Sequence, residues 1–443
     1  VKPGIINDEH YMHVVHDIRN RDYPDVDGAK IFSGGSKMFE YKFNMAETLA
    51  IAAVLLCLGR WIKNKSEFLQ KFFIPAPVVS GLIFSIFVFI GRQTETFQFD
   101  FDLTLQNFLM IAFFTTVGFM ASFKLLAQGG VGVAVFLVVA TGLVICQDAI
   151  GVALSKALGM NPLFGLIVGS VPLTGGHGTA GAFGATIEEL GVVGARTAGF
   201  AAATYGLVMG CLIGGPVARR LMIKHNLKGE DSKAQDPDLK AEKVEVTEEK
   251  ILNAVIIIAV AMGIGASIPP FVKAHTGWLI KGGLALPAYI GPMLVAALLR
   301  NIADTIKKPL PMKEIDIVGS ISLSVFLSMA LMTMKLWELV ELAIPMIIIL
   351  AIQTIFVILY TYFITYNVMR LPFIATKYDA AVMVTGHCGF GMGATPTAIA
   401  NMESFTSVNG FSTKAFFIVP LVGALFIDFT NAAVITFFIN MFQ

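Results

Sequence analysis

Two glycine-rich stretches hold most of the side chains in this sequence that can do chemistry. The first reads Thr174-Gly175-Gly176-His177-Gly178-Thr179-Ala180-Gly181-Ala182-Phe183-Gly184. The second reads Thr385-Gly386-His387-Cys388-Gly389-Phe390-Gly391-Met392-Gly393-Ala394-Thr395-Pro396-Thr397-Ala398-Ile399-Ala400-Asn401. Glycine at this density makes a poor helix interior. It suits a backbone that comes close to a ligand and turns free N–H groups toward an anion. It also suits two helices packed closely through small residues. His177 and His387 can carry protons or bind a ligand; equally, each imidazole can bond a backbone carbonyl and brace its loop. Cys388 has no thiol or carboxylate at metal spacing beside it, and the four cysteines show no CxxC pattern, so no metal centre or disulfide framework is indicated.

A third feature is Asp428, in Phe426-Ile427-Asp428-Phe429-Thr430-Asn431, midway along an apolar run. A carboxylate at membrane depth costs about 2.5–3.5 kcal/mol on insertion scales, so it marks a functional site by default. Asn431 lies three residues on, on the same helical face. A carboxylate and an amide oxygen are hard ligands for a small cation or a proton. Asp148, beside Gln147, and Asp379 are weaker cases, and Asp379 can simply cap a helix start.

The elements that must position these groups are membrane helices. The chain has 443 residues, 56% of them hydrophobic and only 14% charged, far too few charges to cover a soluble surface of this size. Long unbroken apolar runs exclude a barrel, which alternates polar and apolar residues. Net charge of +1 makes no case for nucleic acid. Apolar runs fall near 44–60, 75–91, 104–123, 130–156 and 196–222, then near 250–270, 284–300, 315–335, 342–366 and 413–441. Between them lie the glycine-rich stretches, 161–190 and 378–405. Charge concentrates in the first 44 residues and in 224–250. His10, His13 and His16 share a spacing of three, but in a solvated mixed-charge tail they read as surface residues.

The two halves repeat one order of features. Each second span carries prolines and glycine (Pro75, Pro77 and Gly81; Pro287, Gly291 and Pro292), each fourth span one glutamine (Gln147, Gln353), and each glycine stretch a Gly-His pair (Gly176-His177, Gly386-His387). The reading is an all-α polytopic membrane protein. It has two inverted-topology repeats of five transmembrane helices, each with a re-entrant glycine-rich hairpin, because an odd number of crossings turns the second copy over. The organisation follows: an extracytoplasmic tail, 1–43; a first repeat, 44–222; a charged cytoplasmic linker, 223–250; and a second repeat, 251–443. With the N-terminus outside, the inner loops hold 20 Lys and Arg and the outer loops beyond the tail hold six, so both termini are expected outside.

The Gly-Gly-His-Gly-Thr run at 175–179 and the run from Gly386 to Asn401 resemble those of the bacterial sodium/glutamate symporter family. So do Leu336-Trp337-Glu338-Leu339, Gln353-Thr354-Ile355-Phe356 and Gly214-Gly215-Pro216-Val217-Ala218-Arg219. The resemblance covers roughly residues 44–443. It implies a homodimer in the bacterial inner membrane that takes up glutamate with sodium as coupling ion, and an elevator-type movement of a hairpin-bearing unit against a scaffold.

On this reading substrate carboxylates sit on hairpin N–H groups around Gly175, Gly176, Gly178, Gly386 and Gly389. The hydroxyls of Thr174, Thr179, Thr395 and Thr397, the imidazoles of His177 and His387, and the amide of Asn401 complete that set. Sodium takes Asp428 and Asn431, with Gln147 and Gln353 as further oxygen donors. The rivals are a sodium- or proton-coupled carrier of another carboxylate and, from a different class, an ion channel, which wants a continuous fixed pore. An enzyme would need a nucleophile–base set that one Cys beside one His does not supply.

Overall fold

The computed structural model describes residues 38–227, 229, 246–276 and 286–443. The tail histidines and most of the charged linker lie outside these residues. Apolar composition leaves backbone groups no partner but each other, so the described chain is mostly helix. The main helices are α1 (Met45–Lys65), α2 (Ala76–Gln93), α3 (Thr104–Met120), α4 (Gly130–Ala157), α5 (Gly176–Glu189), α6 (Ala195–His225) and α7 (Glu248–Gly265). They continue as α8 (Ile290–Thr305), α9 (Met312–Met332), α10 (Leu339–Tyr360), α11 (Lys377–Met392), α12 (Thr395–Asn409), α13 (Thr413–Leu425) and α14 (Ile427–Phe442).

Ten plain spans were expected. Among the described residues seven helical segments are long and apolar enough to cross a membrane, and an eighth counts if α13 and α14 form one bent span. The shortfall has local causes. Helix α3 has 17 residues and α8 only 16, whereas a bilayer core asks for about 20. The last apolar run is broken at Phe426, where the axis bends by 46°. Pro420 lies inside α13, and the Thr395 hydroxyl donates to the Gly423 carbonyl at 2.7 Å, an outside partner for a carbonyl near the break.

All-α needs one amendment. Phe39–Phe43 (β1) and Phe97–Phe101 (β2) pair in parallel, with Phe39 opposite Phe97 and Phe43 opposite Phe101. Both segments alternate aromatic and polar residues, the period-2 pattern of a strand. Helix starts follow their caps. Asn44 and Glu47 form a capping box on α1, and Thr376 and Asp379 one on α11, so Asp379 does cap a helix.

The helices sort into two bundles. In one, α1, α2, α3, α7, α8 and α9 pack on each other. Its cores include Ala52, Leu55, Met329 and Met332 on one side and Phe119, Ile258, Val295 and Ile315 on the other. In the second, α4, α5, α6 and α10–α14 surround a larger core that includes Phe136, Phe200 and Phe390. Each bundle draws helices from both halves of the sequence. The bundle backbones approach mainly where α5 meets α9 and the α13–α14 break meets α3, but side chains bridge them: Phe114, Tyr289 and Phe326 join the larger core, and Tyr289 meets Phe183 edge-on at 5.2 Å.

Close packing within the second bundle rests on a glycine stripe along α6. A Cβ at Gly206 would lie 2.1 Å from the Met392 carbonyl oxygen, and one at Gly214 2.5 Å from Asn401 Nδ2. With Gly210 between them, these residues let α6 meet the α11–α12 pair backbone to backbone.

Candidate functional site

The first glycine stretch is helical in pieces. Phe164–Ile167 and Ser170–Leu173 are single turns, and the chain turns again at Thr174 and Gly175 before α5 begins. Gly176 has φ = +65°, a left-handed conformation that favours glycine. The second stretch is a helical hairpin. Helix α11 ends at Met392, Gly393 leaves the helical region with ψ near −92°, Ala394 is extended, and α12 leaves with Pro396 in its first turn. Proline pre-sets φ there and gives up an N–H that would in any case lack a helical partner.

These two turns meet. A Cβ on Gly176 would have the Gly393 carbonyl oxygen as its nearest neighbour, at 3.4 Å. Beside this contact is a cavity of about 590 Å³ between the two bundles. The second bundle lines it with Thr174–Thr179, Gly393–Pro396, Gly423, Ile427 and Asp428. The first bundle contributes Lys63, Phe113, Phe114, Asp316 and Leu323. Three helix starts therefore open on one space: α5 at Gly176, α12 at Thr395 and α14 at Ile427. Each start carries N–H groups without intrahelical carbonyls and the positive end of a helix dipole. The broken last run puts Asp428 in the first turn of α14, where that dipole favours a carboxylate.

The model of the sodium/glutamate symporter family matches residues 41–411. A sodium/glutamate symporter of Haemophilus influenzae is 41% identical over 404 residues, covering 89% of this chain and 97% of its own length. One of Escherichia coli is 40% identical over 400 residues, with the same coverage. The chain belongs to the sodium/glutamate symporter family. A member of this family is a transporter, not an enzyme, and the cavity is read accordingly.

The family motifs do not all reach that cavity. Thr174, Gly175, Gly176, His177, Gly178 and Thr179 do, as do Thr395 and Asp428. His177 Nε2 lies 3.0 Å from the Thr204 hydroxyl, and its ring stacks on Phe200. The remaining residues of the expected set lie elsewhere, each for a packing reason. His387 is fully buried, its Nδ1 2.9 Å from the Thr365 hydroxyl in the π-turn Thr361–Thr365, and Phe136 and Phe390 flank its ring. Gly386 leaves room for Met402 and Val419. Gly389 takes the backbone of Ala398, since a Cβ there would lie 2.5 Å from the Ala398 Cα. Thr397 is fully buried inside the hairpin. Asn401 donates to the carbonyls of Gly210 and Thr385 at 2.8 and 3.2 Å and borders a different cavity, beside Arg219 and Lys224.

The expected sodium donors also separate. Asn431 turns away from Asp428 and donates to the Ser170 carbonyl at 3.3 Å. Gln147 works as a link: it accepts from the Thr174 hydroxyl at 2.9 Å and donates to the Gly391 carbonyl at 2.7 Å, bonding one glycine stretch to the other. Gln353 donates to the Gln147 carbonyl at 2.7 Å behind it. Lys63 and Asp316, the charged residues on the facing wall, were outside the expected set. Lys63 lies more than 100 positions before the first glycine stretch in the sequence, and only the fold brings it to the cavity.

Proposed function

We propose that this chain couples the entry of sodium to the uptake of glutamate across the bacterial inner membrane. The observation that carries the reading is the convergence of three helix starts and two glycine turns on one cavity between two bundles. Free N–H groups at Gly176–Gly178 and Thr395, with the Thr179 hydroxyl, suit the carboxylates of the substrate; the Thr174 and Thr395 hydroxyls already donate to Gln147 and the Gly423 carbonyl. Lys63 adds a positive charge on the opposite wall. Asp428 is the acid on the wall that carries the glycine turns, and Asp316 is the acid on the opposite wall. Asp428 suits the substrate ammonium or a sodium ion next to it, and either role makes transport depend on its charge.

The division into two bundles, which meet through side chains while their backbones rarely approach, suits an elevator. The bundle of α4–α6 and α10–α14 carries both glycine turns and moves; the bundle of α1–α3 and α7–α9 stays. Each bundle takes corresponding helices from the two halves, the arrangement that two inverted repeats with re-entrant hairpins produce. The cavity reaches Lys63, at the end of α1 that the basic bias assigns to the cytoplasm, so this is the inward-open state. The protein is taken as a homodimer with both termini outside.

Counterflow of labelled glutamate in proteoliposomes tests the reading. Uptake should require sodium and should be lost, or need well over tenfold more sodium, in Asp428→Asn. Sodium-independent counterflow, or counterflow of a dicarboxylate but not of glutamate, would reject it.

A further inference from the structure

A second polar cluster lies behind the cavity, at the break between Phe164–Ile167 and Ser170–Leu173. Its members are Asp148 on α4, Ser170 at the break and Asn431 on α14, and all three are fully buried. The Ser170 N–H donates to Asp148 Oδ1 at 2.9 Å, and Asn431 Nδ2 donates to the Ser170 carbonyl at 3.3 Å. After these bonds three oxygens around Ser170 have no partner: Asp148 Oδ2, Ser170 Oγ and Asn431 Oδ1. More oxygen lies next to them. A Cβ on Gly169 would be 2.9 Å from Asp148 Oδ1, 2.7 Å from the Gly165 carbonyl oxygen and 3.2 Å from that of Gln147. Among the described residues no Lys, Arg or His pairs with Asp148.

A carboxylate without a cationic partner is among the most costly groups to bury, and each unmet oxygen beside it adds to the cost. Asp148 Oδ2 and Asn431 Oδ1 can only accept, so they call for a positive partner, which the Ser170 hydroxyl oxygen can also ligate. Carboxylate, hydroxyl and amide oxygens are hard ligands, suited to an alkali or alkaline-earth cation rather than to a soft metal. Only one of them is charged, so a monovalent ion neutralises the cluster and a divalent ion leaves it positive in a dry interior. We propose that Asp148, Ser170 and Asn431 bind a sodium ion, at a place separate from Asp428. The inference rests on the sodium-coupled reading and adds an ion position to it.

The position explains how an ion would govern substrate. Ser170 begins the short turn that leads directly to Thr174, and Gln147, beside Asp148, bonds the Thr174 hydroxyl and the Gly391 carbonyl. An ion held at Ser170 fixes both glycine turns in the relation that forms the cavity. The ion therefore acts before glutamate arrives and does not touch it.

The test is thermal unfolding of the purified full chain without glutamate, with sodium chloride exchanged for choline chloride at constant ionic strength. The wild type should be stabilised by sodium. Ser170→Ala should raise the sodium concentration for half the effect at least tenfold. Asp148→Asn should abolish the response. Wild-type protein indifferent to sodium, or Ser170→Ala and Asp148→Asn with the wild-type midpoint, would overturn the proposal and mark the cluster as hydrated or protonated. If Asp148→Asn fails to fold, Ser170→Ala decides alone. Sodium-driven glutamate uptake by the wild type is scored separately, so loss of this ion position and loss of the transport reading give different results.

Discussion

Gly176 offers the sharpest handle on the cavity, because conformation and space make different demands there. Its φ of +65° costs an L-residue about 1–2 kcal/mol, and asparagine less, since its short polar side chain tolerates that region. A Cβ would meet only the Gly393 carbonyl, at 3.4 Å, an ordinary contact. Gly176→Ala therefore adds strain without a clash. The turn relaxes toward negative φ and must be restored for glutamate to bind. Restoring it lowers apparent affinity by the same 1–2 kcal/mol, roughly 5- to 30-fold. Gly176→Val adds two branches against Gly393 and a stiff χ1, worth about another 1–3 kcal/mol. The expected order of KM for glutamate, measured as sodium-driven uptake normalised to folded protein, is wild type, Asn, Ala, Val. If Ala equals wild type, or Asn is as damaging as Val, backbone conformation at Gly176 does not control the site.

Gly389→Ala should act differently. Its Cβ would press on the Ala398 backbone at 2.5 Å, so the variant should lose thermal stability, while any folded fraction keeps the wild-type KM. A cysteine at Thr179, in a background freed of the four natural cysteines, should be shielded from thiol reagents by glutamate plus sodium. One at Thr397, fully buried off the cavity, should be unreactive with or without substrate. Thr174→Val removes the hydroxyl that satisfies Gln147 Oε1 and should cost about 1–3 kcal/mol, read as a 5- to 150-fold loss of glutamate affinity. Single cysteines at Asn64 and Thr94, at opposite ends of the α1–α2 hairpin, should label from opposite faces of the membrane; labelling from one face would contradict the assigned orientation.

The helical membrane character was legible because apolar runs leave the backbone no alternative. The glycine stretches were legible as special, but most of their glycines lie inside α5 and α11, where they allow close packing, and only Gly175, Gly176 and Gly393 sit at the turns. Asp428 stood out as an acid among apolar residues, but its setting did not. Both lie in α14, after the break at Phe426; the break brings the start of that helix, and Asp428 with it, to the cavity, while Asn431, nearly a turn further on, donates to the Ser170 carbonyl. Gly386, Gly389 and His387 sit in the same motif as Gly393 and Thr395. Only the hairpin decides which of them face its partner helices and which face the open space. The strands β1 and β2 carry a period-2 pattern in Phe-Glu-Tyr-Lys-Phe and Phe-Gln-Phe-Asp-Phe, but at five residues each, with polar residues between, they form no apolar run. Ser170 gave no local signal, since its role comes from Asp148 and from Asn431, 261 residues away.

The contact between Gly176 and Gly393 also sets a schedule for biosynthesis. They are 217 positions apart in the sequence. At a synthesis rate of about 5–20 residues per second, the first turn leaves the ribosome roughly 10–40 s before the second exists. Through that interval Thr174 lacks the Gly391 side of its glutamine link, and the start of α5 faces no hairpin. The first half of the chain must therefore enter the membrane with its most polar turn unfinished. A stall or truncation before α11 would leave an inserted but incomplete protein that membrane quality control can recognise by that exposed turn.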